Sequence, residues 1–347
     1  MAKKKKNWIF GIVAAVVLAG LGLGWYTYTT LFSANVDLSK AQPELYIRHG
    51  DQFEDVVASL EKTGAIINMT EFVNTAKLKK YDKHIKSGCY ILKNGMSSFE
   101  LVRLLASGNQ TPVKLTFNNK RTAPELAGRL AEVLEMDSAS ALAAIMNDTL
   151  LKKWDVDQYN AIGVFIPNTY EIYWDITPSK LMARMKKEYD KFWDKNRKAK
   201  LARTGLTQKE VSILASIIEE EQNQKYDEQP LIAGLYINRL RKGMKLESDP
   251  TVKFAVNDFS IRRVLSAHLL TDSPYNTYKY AGLPPGPIRI PSIQAIDNVL
   301  NFRESNYIFM CAKEDFSGYH NFAVTADEHE ANARRYHNSL NKQRIFK

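Results

Sequence analysis

TQKEVSILASIIEEE, residues 207–221, predicts a helix whose start and buried face can both be read from the sequence. Thr207 and Glu210 form a capping box, in which each side chain bonds the backbone of the other, so the helix begins at a defined residue. At about 100° per residue, its apolar side chains fall on one stripe. The stripe consists of Val211, Leu214, Ile217 and Ile218. Glu221, seven residues after Leu214, lies on the same stripe.

The three glutamates that end this segment are therefore not equivalent. Glu219 and Glu220 point to either side of the stripe and are expected to be solvated, whereas Glu221 must project toward the core or a cleft in it. Burial disfavours a charged carboxylate, so the pKa of Glu221 is expected to rise, and the neighbouring negative charges act in the same direction. An acid that keeps its proton near neutral pH can protonate the leaving oxygen of a glycosidic bond. The alternative is a structural role, in which Glu221 pairs with a lysine or caps a backbone group.

The N-terminal segment predicts a membrane anchor. Lys3–Lys6 precede a stretch without charge from Asn7 to Val36, and Ile9–Gly24 is almost wholly apolar. Such a run is long enough for a helix to cross a hydrocarbon core of about 30 Å. We therefore expect a cytoplasmic basic tail at residues 1–7, a single transmembrane helix at 8–31, and the remaining chain outside the cytoplasmic (inner) membrane. A cleaved signal peptide is the alternative, but the apolar run continues into aromatic residues and no small-residue cleavage site follows.

Composition and charge narrow the class of protein. The 347 residues exceed one compact domain, and 45% hydrophobic with 25% charged residues is typical of globular chains. The net charge of +10, less the four N-terminal lysines, leaves a modest preference for acidic partners such as carboxylate-bearing peptidoglycan stems or anionic lipid. The sequence has no basic stripe interleaved with aromatic residues, the pattern that would favour nucleic acid as a partner. Cys89 and Cys311 are the only cysteines, which argues against a disulfide framework and leaves one bridge between them open.

Residues 43–118 predict a small α+β module. A short strand at Glu44–Ile47 is followed by an amphipathic helix that Gly64 ends, and a strand at Gly88–Leu92 by a helix that Gly108 ends. The size and the strand–helix order resemble LysM-type glycan-binding units. The alternative is a membrane-proximal spacer with a small core of its own.

The rest of the chain divides into a connecting region and a larger domain. Residues 119–206 are expected to be mainly helical, and residues 207–347 to form an α+β catalytic domain to which residues 162–174 contribute. The C-terminal part predicts a β-hairpin, with strands at 307–312 and 319–324, and then a helix that starts at a capping box on Thr325. The predicted fold class is α+β, with one N-terminal transmembrane helix.

Several segments in the second half of the chain are unusual in composition. In order, they are ASIIEEE at 215–221, INRL at 237–240, GMKL at 243–246, SDPTV at 248–252, SPYNTY at 273–278, and GLPPGPI at 282–288 with Pro291. Their order and spacing resemble those of the YceG-like endolytic murein transglycosylases, the MltG family. The resemblance extends from the N-terminal segment to the C-terminus and is weakest across residues 120–205.

The resemblance implies site residues. The family motif is similar to Ile-Ile-Glu-Lys-Glu, whose second glutamate is catalytic; here it is Glu221, which the helical face selects independently, and the first is Glu219, assigned to substrate binding. Glu220 stands where the family has lysine, which should raise the pKa of Glu221 further. The family's Pro-Asp-Thr-Tyr reads Pro-Asn-Thr-Tyr at 167–170. The amide of Asn168 can still bond a sugar hydroxyl or N-acetyl group, so Asn168 and Tyr170 are substrate-binding candidates.

A lytic transglycosylase, which the resemblance implies, needs one acid/base. The glutamic acid protonates the bridging oxygen, and the resulting carboxylate takes the proton of the muramic acid C6 hydroxyl as that oxygen closes onto C1. An ordinary glycosidase needs a second carboxylate, for which Asp249 is the candidate. The alternative for Asp249, and the preferred one, is a structural role before Pro250 at a turn and helix start.

The segment Tyr275-Asn276-Thr277-Tyr278 predicts an ordered loop, because prolines and glycines follow it as far as Pro291. Aromatic rings stack on sugars, and Asn and Thr bond acetamido groups and hydroxyls, so these four residues predict one wall of a substrate cleft. The alternative is a rigid connector with buried tyrosines. On the hairpin, His320 is a candidate to orient the acid or bind substrate, with an unspecialised strand histidine as the alternative.

Together these observations predict an endolytic lytic transglycosylase that cleaves MurNAc–GlcNAc bonds in nascent peptidoglycan strands, leaves 1,6-anhydroMurNAc ends and limits strand elongation. The implied partners are glycan strands, the cytoplasmic membrane and peptidoglycan synthases (penicillin-binding proteins), with no nucleic acid, cofactor or metal. Sequence motifs of metalloprotease, serine hydrolase and phosphate-loop chemistry are absent. The alternatives are a non-catalytic, membrane-tethered peptidoglycan-binding scaffold and a water-using muramidase that would employ Asp249.

Overall fold

The computed structural model describes residues 2–261 and 263–342, and its secondary structure is α+β, as predicted. Met1, Arg262 and residues 343–347 are not described. The first residue of the predicted basic tail and the last five residues of the predicted catalytic domain therefore lie outside the described residues.

Helices dominate the described chain, and short strands connect them. The helices are α1 (Ala2–Phe32), α2 (Phe53–Thr63), α3 (Met69–Leu78), α4 (Ser98–Ser107), α5 (Ala123–Val133), α6 (Ser138–Ile145), α7 (Asp148–Lys153), α8 (Pro178–Phe192), α9 (Lys195–Thr204), α10 (Gln208–Glu221), α11 (Gln229–Arg241), α12 (Asp249–Val256), α13 (Ser266–Leu269), α14 (Ile293–Leu300) and α15 (Ala326–Lys342). The strands are β1 (Glu44–Ile47), β2 (Gly88–Ile91), β3 (Val113–Phe117), β4 (Asn168–Ile172), β5 (Phe309–Ala312) and β6 (His320–Ala323). Two 3₁₀ helices cover Tyr81–Lys83 and Gln158–Val164.

The strands pair as two-stranded sheets, β1 with β2, β3 with β4 and β5 with β6. The β1–β2 pair is antiparallel and places Leu45 opposite Tyr90. The β5–β6 pair is the predicted C-terminal hairpin, in which Ala312 pairs with His320. The capping box predicted for the final helix is also present, because the Glu328 backbone N–H donates to Thr325 Oγ1 and Glu328 Oε2 accepts from the Thr325 N–H.

The chain forms two compact units. Unit 1 comprises Met1–Lys114, Val133–Glu135 and Glu171–Ile176. Unit 2 comprises Leu115–Glu132, Met136–Tyr170 and Thr177–Lys347.

The prediction of a transmembrane helix at residues 8–31 is overturned for the described residues. The helix α1 forms there, but among the residues that the structure describes no helix is long and apolar enough to cross a membrane.

Unit 1 has its own apolar core between the β1–β2 sheet and helices α2, α3 and α4. Its largest buried side chains include Phe53, Phe72, Tyr81, Tyr90 and Leu101. The two helix ends predicted from glycine are present: Gly64 and Gly108 follow α2 and α4 in the left-handed conformation, with φ of 67° and 72°. At the end of α1, Phe32 packs on Phe99 of α4 with ring centroids 5.2 Å apart.

Unit 2 is built around α10. Its predicted capping box is present: the Thr207 side chain accepts from the Glu210 backbone N–H, and Glu210 accepts from the Thr207 N–H. Every residue from Val211 to Glu219 is buried, because α11, α12 and α14 pack around the helix. The sequence predicted one buried face of α10, whereas the structure buries the helix on all sides, as the central helix of this unit.

Alanine substitutions at two helical glycines should change the stability of the protein in opposite directions. A Cβ on Gly234 of α11 would lie 2.1 Å from the Arg303 carbonyl oxygen, whereas nothing lies within 4 Å of a Cβ on Gly128 of α5. We expect Gly234→Ala to destabilise unit 2 by about 1–3 kcal/mol through overpacking. Gly128→Ala should be neutral or stabilise by up to about 1 kcal/mol, because alanine favours the helix. Calorimetric melting of both variants tests this, and equal effects would contradict the close approach.

Candidate active site

Glu221 is the last residue of α10 and is half-buried. Its Oε1 accepts two hydrogen bonds, from the Tyr236 hydroxyl at 2.8 Å and from Ser248 Oγ at 2.5 Å. No partner for Oε2 is found among the described residues. One oxygen of the carboxyl group is therefore fixed by the protein, and the other is available to a ligand.

The chain after Glu221 turns back so that α11 can supply Tyr236. Gln222 caps the C-terminus of α10, and its backbone carbonyl accepts from the Gln229 side chain at 2.7 Å. Its own side-chain amide donates to Glu228 and to the Gly318 carbonyl, both at 2.8 Å. These contacts fix the short connection, and α11 then packs along α10.

Ser248 is held by Thr277. The Ser248 backbone N–H donates to Thr277 Oγ1 at 3.0 Å, and the hydroxyls of Thr251 and Thr277 lie 2.8 Å apart. All three residues are buried. This polar network places the Ser248 hydroxyl at the start of α12, where it reaches the Glu221 carboxyl.

Burial raises the pKa of Glu221, in the direction that the helical-face argument predicted. Desolvation is the largest cause and the negative charge of Asp249 adds to it, while the hydrogen bonds from Ser248 and Tyr236 and the proximity of His320 oppose it. The net effect favours the protonated acid. Burial and the same contact with Glu221 raise the pKa of Tyr236, so this phenol stays a donor.

Glu221 lies at the wall of a cavity of about 510 Å³ in unit 2. The lining residues from α10, α11 and the segment up to α12 are Glu221, Leu235, Tyr236, Arg239, Leu246, Glu247 and Asp249. Those from the later segments are Tyr278, Phe309, Met310, Cys311, Ala312, His320 and His329. Of the site residues predicted from sequence, Glu221, Asp249, Tyr278 and His320 thus meet around one cavity. The Tyr278 hydroxyl donates to Asp249 at 2.7 Å.

The other three residues of the Tyr-Asn-Thr-Tyr segment build the loop instead of lining the cavity. Tyr275 packs on Phe254 with ring centroids 4.6 Å apart. The buried Asn276 amide donates to the carbonyls of Leu269 and Thr271. Because Thr277 positions Ser248, the loop nevertheless acts on Glu221 indirectly.

Asn168, Tyr170 and Glu219 are not among the residues that line the cavity. Asn168 is exposed on β4, and its side chain accepts from the neighbouring Thr169 N–H. The buried Tyr170 donates its hydroxyl to the Ile166 carbonyl. Glu219, which we expected to be solvated, is only 8% exposed, because its Oε2 accepts from the Ser292 N–H at the start of α14.

The expectation that Glu220 is solvated is also wrong. Its carboxylate accepts from the guanidinium groups of Arg121 at 3.1 Å and Arg289 at 2.6 Å. Arg289 is buried, with its Nη2 3.9 Å from Glu219. The two arginines therefore supply the positive charge that the family places at position 220 itself.

Sequence reasoning missed Tyr236, Ser248 and the residues that hold the opposite wall. Ser248 belongs to the Ser-Asp-Pro segment noted in the sequence, but only its neighbour Asp249 was predicted as a site residue. Tyr236 had no signal that distinguishes it from a core residue. Arg239 donates to the carbonyls of Lys245 and Ile308 and to the Glu247 carboxylate, and so ties α11 to the hairpin.

His320 is clamped by a buried carboxylate. Its backbone N–H and its Nδ1 lie 2.9 Å and 2.7 Å from the two oxygens of Glu228. Burial would raise the pKa of Glu228, but the hydrogen bonds from His320 and Gln222 outweigh it and the pKa is lowered. Glu228 is therefore a carboxylate, which can only accept, so His320 Nδ1 carries a proton.

Cys89 and Cys311 are both free, and Cys311 lines the cavity. Among the described residues, no cluster of three or more His, Cys, Asp or Glu side chains could hold a metal ion.

The fold and the site define an α+β protein with a buried carboxylic acid at the wall of a cavity, an arrangement suited to general acid catalysis. The chain belongs to the YceG-like family, whose model matches residues 45–335.

Two relatives and one solved structure are similar to this chain. The endolytic murein transglycosylase of Streptococcus pneumoniae (strain ATCC BAA-255 / R6) is 28% identical over 95% of this chain, which spans only 65% of the length of that protein. The endolytic murein transglycosylase of Bacillus subtilis (strain 168) is 26% identical over 88% of each chain. The crystal structure of a YceG-like protein from Listeria monocytogenes matches with a TM-score of 0.55 and 26% identity, over 84% of this chain and 99% of that one.

The raised pKa of Glu221 predicts a pH-dependent stability. In the unfolded chain the carboxyl ionises at its ordinary value of 4.5, but in the folded chain it ionises at higher pH. As pH rises through this window the unfolded state binds fewer protons than the folded state, so the wild type loses stability. Each pKa unit corresponds to about 1.4 kcal/mol.

Glu221→Gln removes this penalty and keeps an acceptor for Tyr236 and Ser248. We expect its melting temperature to rise relative to wild type between pH 4 and pH 8. Glu132→Gln, at an exposed glutamate of α5, serves as the control and should show no such change. A difference between wild type and Glu221→Gln that is constant with pH would contradict the burial of a protonated acid.

Two neighbouring substitutions should shift the titration of Glu221 in opposite directions. Ser248→Ala removes a hydrogen bond that favours the carboxylate, so the pKa of Glu221 should rise. Asp249→Asn removes a negative charge that favours the protonated acid, so the pKa of Glu221 should fall. Carbon-13 NMR titration of glutamate-labelled protein, with Glu221→Gln to assign the signal, measures both. Shifts of the same sign would contradict this electrostatic account.

Proposed function

We propose that this chain is an endolytic lytic transglycosylase that cleaves MurNAc–GlcNAc bonds of peptidoglycan strands, with Glu221 as the acid. The observation that carries the proposal is the Glu221 carboxyl itself, which lines the cavity, has its pKa raised by burial and is held by the protein through Oε1. The streptococcal and Bacillus relatives are endolytic murein transglycosylases, which supports the same reaction.

In the proposed reaction, Glu221 Oε2 donates its proton to the bridging oxygen, and the bond from that oxygen to muramic acid C1 breaks. The C6 hydroxyl oxygen then bonds to C1 and its proton leaves to a base, which closes a 1,6-anhydro ring without water. In the mechanism that the family resemblance implies, the Glu221 carboxylate is that base. Tyr236 and Ser248 stabilise the carboxylate after it forms, because both donate to its Oε1.

A water-using muramidase is the second candidate function, and Asp249 is the observation that favours it. Its carboxylate lines the same cavity as Glu221. In a hydrolase it would activate water or attack C1. Its hydrogen bond from Tyr278 favours a positioning role instead, since the phenol occupies one of its oxygens.

The surroundings of the reaction are also proposals. Unit 1, with its LysM-like order of elements, would bind the glycan strand. The enzyme would act in the cell envelope on nascent strands next to peptidoglycan synthases and so limit strand elongation.

The decisive experiment compares wild type, Glu221→Gln and Asp249→Asn on uncrosslinked glycan strands, with the products identified by mass spectrometry. We expect wild type to release 1,6-anhydroMurNAc ends, Glu221→Gln to lose at least about 10²-fold in kcat, and Asp249→Asn to retain the anhydro product. Glu132→Gln controls for the loss of a surface charge.

Each alternative predicts a different result. If wild type releases reducing ends and Asp249→Asn does not, the protein is a muramidase. Strands that bind without any product, in wild type as in Glu221→Gln, would assign the non-catalytic scaffold and overturn the proposal.

A further inference from the structure

The Glu228–His320 pair beside the acid has no task in a mechanism that uses Glu221 alone. Glu228 is buried at the start of α11, and both of its oxygens face His320. Three hydrogen bonds, two from His320 and one from Gln222, compensate the burial of the Glu228 carboxylate. The pair is built from three segments, because Gln222 after α10 also donates to Glu228.

The clamp determines which edge of the imidazole ring is free. Nδ1 donates to Glu228, and among the described residues no partner is found for Nε2. The His320 side chain is 16% exposed and lines the cavity that Glu221 also lines. A neutral imidazole with its proton on Nδ1 therefore presents the Nε2 lone pair to the cavity.

We propose that His320 is the base of the ring-closing step, so that Glu221 acts as the acid and Nε2 of His320 accepts the proton of the C6 hydroxyl while Glu228 holds Nδ1. This inference rests on the proposed lytic reaction and changes only its second step. The arrangement follows the logic of a carboxylate–histidine pair that activates a hydroxyl nucleophile.

The proton balance is complete. Glu221 loses a proton to the leaving oxygen as the C1–oxygen bond breaks, and His320 gains one from the C6 hydroxyl as the new oxygen–C1 bond forms. The imidazolium is attracted by the carboxylates of both Glu228 and Glu221, which stabilise it. After product release, solvent returns the proton from His320 to Glu221, and both groups regain their starting states.

Other charged groups lie around this pair. The cavity also contains Asp249, Glu247, Arg239 and His329. Lys225 and Lys313 lie against the ring of Tyr319, next to His320 in sequence, at 5.1 Å and 5.6 Å from its centroid. Asp227 accepts from the Tyr319 hydroxyl at 3.2 Å and is exposed. Glu228 is the group among these that hydrogen-bonds the imidazole ring directly.

A separate base predicts a bell-shaped pH dependence of kcat. The proposed step needs Glu221 with its proton and His320 Nε2 without one, so kcat should fall at both ends of the pH range. If Glu221 is both acid and base, no limb of the profile depends on His320. The shape of the profile therefore separates the two mechanisms.

The test uses the full-length chain and three substitutions. His320→Asn is the informative one, because its amide Nδ2 can replace Nδ1 on Glu228 while Nε2 is lost. We expect it to lower kcat by about 10²-fold or more, to change KM little and to remove one limb of the pH profile. Glu228→Gln should shift that limb to lower pH, since the carboxylate no longer favours the imidazolium. Asp227→Asn removes a nearby exposed charge and should leave kcat and the limb near wild type.

The outcomes are distinct from those that test the function itself. Absence of anhydro product from wild type would overturn the lytic reaction and the inference with it. Anhydro product from wild type together with an unchanged kcat and pH profile in His320→Asn would overturn only the role of His320. A raised KM with an unchanged kcat in His320→Asn would also overturn the role of His320 as a base and would show that it contacts the substrate instead.

Discussion

The buried carboxyl of Glu221 is the constraint on which the rest of unit 2 depends. A charged group at this position would be costly, so the acid stays protonated unless donors compensate it. Tyr236 and Ser248 supply two such donors to one oxygen. They favour the carboxylate without abolishing the elevated pKa, and this balance between burial and hydrogen bonding is what the proposed acid role requires.

That balance requires three helices and a loop to meet within hydrogen-bonding distance. The α10 helix ends at the acid, α11 returns beside it with Tyr236, and α12 starts next to Ser248. The Thr277 hydroxyl fixes Ser248 from a loop 29 residues further along the chain. The proline-rich loop therefore contributes mainly rigidity, with Tyr278 as its member in the cavity.

Three arginines hold the two sides of the site. Arg289 and Arg121 neutralise Glu220, next to the acid in sequence, and Arg239 joins α11 to the hairpin that carries His320. Removing one partner of such a pair leaves an uncompensated charge, which is why these contacts constrain geometry strongly whatever their net contribution to stability. The glutamate at 220, a departure from the family pattern, is accommodated because arginines from other segments face it.

The sequence by itself determined where α10 begins, that Glu221 lies on a buried face, and the strands and helices that capping boxes, glycines and periodicity mark, because these are local features. Local rules failed for Glu219 and Glu220, whose burial depends on α14 and Arg289, and for the expected membrane-spanning helix. Only the tertiary structure decided that Ser248 and Tyr236, 27 and 15 residues from the acid, donate to it, and that Glu228 clamps His320 92 residues away. Such contacts follow from how helices pack, which no short window of sequence contains.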